Sequence, residues 1–128
     1  MDFELGRKGR AESLVETCDT ALEVGSGSLR VFATPCMAAL MEGAACDCLD
    51  GLLPEGQTSV GTLLHLEHTS ATPVGLEVWA EAELIAAEGK RLRFAITAWD
   101  EKGIIGTAQH ERVLVQEERF LQKAYEKL

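Results

Sequence analysis

From Cys36 to Leu49 the chain reads CMAALMEGAACDCL, a run that favours a helix and leaves it apolar on nearly every side. Such a helix cannot lie on a surface and must be covered from more than one direction. Thr34 and Pro35 mark its start: a hydroxyl able to cap free amides, then a proline suited to the first helical position. Gly51 and Pro54 end it.

Four segments downstream have strand character: Thr58 to His68, Leu76 to Ala87, Lys90 to Trp99, and about Ile104 to Gln116. Leu76, Val78, Ala80, Ala82, Leu84 and Ala86 share one face of the second, as Leu92, Phe94, Ile96 and Ala98 do in the third. Good turn chemistry separates them, at Thr72-Pro73, Glu88-Gly89 and Lys102-Gly103. Upstream, Glu12 to Phe32 reads as a strand, a flexible Gly25-Ser26-Gly27-Ser28 loop and an extended approach to Thr34. Glu117 to Leu128 reads as a short terminal helix. A strand, a buried helix and an antiparallel meander predict one α+β domain over residues 1–128, a curved antiparallel sheet wrapped around the helix. This is the hot-dog architecture, and pairing with a second copy through the sheet edge is expected to complete the helix's cover.

The 12 basic residues against 21 acidic ones give a formal charge of −9, which argues against nucleic acid and anionic membranes as partners. No apolar run approaches the roughly 20 residues of a spanning helix. Met1 to Lys8 lack the basic-then-apolar order of a signal peptide, so a cytoplasmic protein is expected. Cys46 and Cys48 stand too close for an ordinary disulfide. His65 and His68 could join them in a zinc pattern, but a helix end and loop stand between the two pairs, so reduced thiols, no metal and no cofactor are expected.

Glu42 does not fit the packing explanation. Ala38, Ala39, Ala45 and Cys46 are its neighbours three and four positions away, so no polar stripe runs through it. An ionised carboxylate in such a setting costs several kcal/mol or more unless it is paired, which makes Glu42 a candidate for function at a cleft or interface. Strand alternation, without a bulge, groups Thr58, Val60, Thr62, Leu64, Leu66 and His68 on one side. That side faces the helix, and His65 faces out beside Glu67. Thr34 lies at the positive end of the helix, where it can cap or stabilise an anion. Eight residues of helical rise put Glu42 about 12 Å from Thr34, so an imidazole must bridge them or Glu42 must act across a dimer interface.

These residues resemble a known family. Val31-Phe32-Ala33-Thr34-Pro35 with Leu40-Met41-Glu42, Ser59-Val60-Gly61-Thr62, His68 to Gly75 and His110-Glu111-Arg112 are similar to the fluoroacetyl-CoA thioesterase-like branch of hot-dog proteins. The resemblance runs from about Val31 to Phe120. It implies hydrolysis of a small or medium acyl-CoA thioester, with Thr34, Glu42 and His68 as the catalytic group. It also implies Gly61 near the thioester carbonyl and Arg112 near bound substrate or CoA. The aromatic lid residues that the family's best-known member carries just upstream of the threonine have no counterpart in Gly25-Ser26-Gly27-Ser28, so fluoroacetyl selectivity is not expected. Two other readings stay open: a noncatalytic acyl-CoA-binding or ligand-sensing module, and a metal or redox protein built on Cys46 and Cys48.

Overall fold

The computed structural model describes residues 2–128. One helix, α2 (Thr34–Cys48), lies against a five-stranded antiparallel sheet ordered β1-β3-β4-β5-β2. The strands are β1 (Lys8–Leu14), β2 (Gln57–His68), β3 (Glu77–Glu88), β4 (Arg91–Asp100) and β5 (Gly103–Gln116). Between β1 and α2 come a short 3-10 turn (Thr17–Asp19) and the four-residue helix α1 (Ala21–Val24), and α3 (Glu117–Tyr125) follows β5. Among the described residues no helix is long and apolar enough to cross a membrane.

The core is the helix face Met37, Leu40, Met41, Ala44, Ala45 and Cys48 against the inward residues of β3 and β4. Leu84, Leu92 and Phe94 are fully buried there, each contributing roughly 1.5–3 kcal/mol of transfer free energy. The expected alternation holds for Leu92, Phe94, Ile96 and Ala98. In β3 it holds from Val78 to Leu84, and then a register shift turns Ala87, not Ala86, toward the core.

Two expectations are corrected. The meander is β3-β4-β5, whereas the Gln57–His68 strand sits at the far edge beside β5. The chain must therefore cross the ends of β5 and β4 before β3, and it is tied down on the way. The Thr69 amide donates to the Ile105 carbonyl, and the buried Thr72 hydroxyl donates to Asp100 Oδ2 at 2.7 Å. Secondly, the first strand begins at Lys8 and not at Glu12. It passes directly beneath the last turn of α2, where a Cβ on Gly9 would strike Cys48 and Ala44 backbone atoms. Within one chain the sheet covers the helix on most sides but not all. Ala39 and Cys46 are exposed and Cys36 and Gly43 half-buried, which leaves a bare stripe of small residues.

Candidate active site

Thr34 is the first residue of α2, and its hydroxyl does not cap the helix as expected; Ala33 holds the cap position without a side-chain bond. The hydroxyl is left free to face the sheet, where Thr34 Oγ1 lies 2.8 Å from His68 Nδ1. His68 is the last residue of β2, beside Gly106 of β5, and the edge of the Phe32 ring meets its imidazole at 6.4 Å. Burial pushes the His68 pKa below its ordinary value; the nearby Ser70 backbone opposes this without a hydrogen bond of ordinary geometry. The His68 Nε2 atom is buried with no partner among the described residues. Thr34 and His68 both line a cleft of about 290 Å³, together with Ser26, Val31, Phe32 and Ser70.

The hydrogen bonds that set this pair lie just outside it. The Phe32 amide, two residues before Thr34, donates to the Thr72 carbonyl, four residues after His68. The Thr72 side chain is in turn anchored on Asp100, whose other oxygen accepts the Lys102 amide.

Glu42 belongs to a second group, one helical stretch away. Its Oε2 lies 3.3 Å from Arg112 Nη1 and 4.0 Å from His110 Nε2, and it makes neither a hydrogen bond nor an ion pair with His68. Its side chain is 43% exposed in the single chain, so the carboxylate is paired but not sealed from water. Arg112 is almost wholly buried. Of the five guanidinium donors, Nε donates to Ser59 Oγ, Nη2 to the Ser59 carbonyl, and Nη1 faces both Glu42 and His110. Its capacity is therefore committed mainly to its own chain.

A bulge in β2 assembles this second group. The register with β5 shifts between Gly61 and Leu63, so Ser59 and Gly61 pair with the inward-facing Leu114 and Arg112, and Leu64 pairs with His110. The parity read without a bulge put Ser59 and Gly61 on the outer face; the extra residue, Thr62, brings them onto the same side as His68. His65 does face out beside Glu67. Gly61 is required by the crossing with Glu42, since a Cβ there would stand 2.5 Å from Glu42 Oε2 and 3.2 Å from His110 Cε1. The carboxylate is the far end of a flexible side chain and can yield. In Gly61→Ala we expect a crystal structure with Glu42 turned away from Arg112, and melting lowered by no more than about 5 °C. Glu42 left in place would contradict that steric account.

His110 was not singled out from sequence. It stands two residues before Arg112, so alternation puts both on one face, and its ring is 1% exposed. Cys46 and Cys48 diverge, one exposed and the other buried with its thiol on the Arg7 carbonyl. Among the described residues no three potential ligands gather as a metal site would need.

Comparison with known proteins agrees with this fold. The family model described as FlK, fluoroacetyl-CoA-specific thioesterase, matches residues 15–118. The chain is 41% identical over 97 residues to the fluoroacetyl-CoA thioesterase of Streptantibioticus cattleyicolor, covering 76% of this chain and 70% of that one. A solved structure of the fluoroacetyl-CoA thioesterase FlK superposes with a TM-score of 0.93 at 32% identity, covering 100% of this chain and 99% of the other. A hot-dog-like protein from Thermanaerovibrio acidaminovorans superposes with a TM-score of 0.88 at 25% identity, covering 98% and 93%. A wrapped helix, a Thr34–His68 pair and a matching family over most of the sequence lead to one assignment: the chain belongs to the fluoroacetyl-CoA-specific thioesterase family of hot-dog proteins.

Proposed function

We propose that this protein hydrolyses a small or medium acyl-CoA thioester to the free acid and CoA, as a homodimer in the cytoplasm, where CoA thioesters occur. The observation that carries the reading is the 2.8 Å contact between Thr34 Oγ1 and His68 Nδ1 at the wall of a small cleft. A base must accept a proton, and burial favours the neutral ring that can do so. His68 Nδ1 takes the proton of the Thr34 hydroxyl or of a water held there, and the oxygen attacks the thioester carbonyl. The tetrahedral intermediate collapses and the CoA thiolate leaves, taking the proton held by His68. Where Thr34 is the attacking group, a water activated by His68 then cleaves the acyl-threonine ester, releasing the free acid and restoring the hydroxyl.

Glu42 stabilises charge during this step and Gly61 offers its backbone amide to the developing oxyanion, with Arg112 holding the carboxylate. About 12 Å of helical rise separates Glu42 from Thr34, so these groups serve the Thr34–His68 pair of the second copy across the interface. The bare stripe of Cys36, Ala39, Gly43 and Cys46 and the open edge of β2 favour such pairing, because each leaves surface or backbone groups that a second chain can cover.

The test is thiol release from acetyl-, propionyl- and longer acyl-CoAs. Wild type should turn over the shorter ones, and Glu42→Gln, which keeps the shape but removes the charge, should lose at least about tenfold in kcat. Tight binding without turnover across the whole panel would replace the hydrolase with a noncatalytic acyl-CoA-binding module.

A further inference from the structure

The Thr34–His68 pair leaves unexplained why a second imidazole is sealed inside the molecule. His110 is 1% exposed, and both ring nitrogens are engaged. The Leu63 carbonyl can only accept, so Nδ1, at 2.8 Å, carries the proton. Nε2 is then a lone pair, 3.2 Å from Arg112 Nη1, and a guanidinium can only donate. Each contact demands the same neutral tautomer, and the arrangement is consistent without any water. Phe94 packs against the ring at 6.0 Å.

The two contacts join different parts of the structure. Leu63 is the residue at which the β2 register resumes after the bulge, so the Nδ1 bond fixes the bulge that turns Gly61 inward. The Nε2 contact fixes one Nη1 proton of Arg112, and the same nitrogen faces Glu42 at 3.3 Å. With Ser59 holding Nε and Nη2, the guanidinium has no freedom to rotate.

We propose that His110 is a positioning residue: a buried imidazole, neutral with its proton on Nδ1, that aims Arg112, and through it the Glu42 carboxylate, at the reaction site. Its value for turnover rests on the function proposed above for Glu42; its tautomer and its hold on Arg112 do not. A second cation beside Arg112 would repel it, so the ring must stay unprotonated where the enzyme works. The groups facing it are Glu42 from α2 and Arg112 from β5, and burial pushes its pKa down despite the acid.

The experiment uses the full-length protein and three substitutions that divide the two contacts. Asparagine keeps a donor near the Nδ1 position, glutamine an acceptor near the Nε2 position, and phenylalanine keeps only the volume. Long-range nitrogen-proton NMR should show the His110 proton on Nδ1 near neutral pH. The Arg112 Nε–H signal should be slow to exchange in wild type and His110→Gln, and at least about tenfold faster in His110→Phe. Observation of the Nε2–H tautomer, or unchanged Arg112 exchange in His110→Phe, overturns the inference whether or not the protein is a thioesterase. With a turned-over acyl-CoA, kcat should fall about 10- to 100-fold in His110→Phe at nearly constant KM, with His110→Gln recovering more than His110→Asn. Equal kcat in all three variants and wild type overturns the role in turnover and leaves the thioesterase reading standing.

Discussion

Replacing His68 with alanine should lower kcat by about 10²–10⁴-fold, the range spanned by loss of a positioned general base. The fold should tolerate the change. His68 lies at the end of an edge strand, and its buried Nε2 has no partner among the described residues, so its removal also removes an unsatisfied polar atom. Melting should therefore stay within a few degrees of wild type. A fall in activity matched by a collapse in melting temperature would mean that the ring is structural.

The same ring predicts a pH profile. Its pKa in the folded protein is lowered from 6.5 by burial. Activity needs the neutral form, so kcat/KM should be level near pH 7 and fall on the acid side with an apparent pKa below 6.5. Stability runs in the same direction. The unfolded chain takes up a proton at each of His68 and His110 at a higher pH than the folded chain does. Below about 6.5 the unfolded state thus binds more protons, and unfolding free energy should decline as the pH falls through that region. An acid limb centred above 6.5 would contradict the burial of the base.

Gly9→Ala should be the most damaging single methyl in the molecule. The added Cβ meets the Cys48 amide nitrogen, the Ala44 carbonyl oxygen and Cys48 Cα, which lies 2.6 Å away. All three are backbone atoms in the last turn of α2, and none can rotate aside. Either β1 separates from β3 or the helix lifts from the sheet, and Arg7, which donates to the Cys48 carbonyl, loses its anchor as well. We expect about 3 kcal/mol or more of destabilisation and a melting temperature lower by upwards of about 10 °C, measured by thermal denaturation. An unchanged melting curve would rule out the tight crossing. Gly61→Ala offers the contrast, since its methyl meets a side chain that can swing away.

Much of this was legible before any coordinates. A helix with one charge in its apolar middle, followed by alternating segments and strong turns, leaves few architectures, and the four downstream strands fall within a residue or two of expectation. Periodicity carries that information because burial is a property of faces. Of the three residues grouped from sequence, Thr34 and His68 lie in contact, whereas Glu42 is held by Arg112. Periodicity fails where the backbone breaks its own period. One extra residue, Thr62, reverses the facing of everything before it in β2, and nothing in the composition of that segment marks the insertion. His110 and the true partner of Glu42 were hidden for the same reason: both depend on which strand lies beside β2, and strand order is set by long-range packing. The placement of β1 depends on a glycine whose need is created forty residues away, by the end of α2.

The Thr72 link gives this architecture a practical freedom. Thr34 and His68 are registered to each other from the side of the β2–β3 crossing, through the Phe32 amide, the Thr72 carbonyl and the carboxylate of Asp100. The opposite wall of the cleft, around Ser26, takes no part in that registration. Under the hydrolysis proposed above, rebuilding the 25–29 segment should therefore alter the room for the acyl group while the Thr34–His68 contact stays in place, so that chain-length preference shifts on one rim and the chemical step is unaffected on the other.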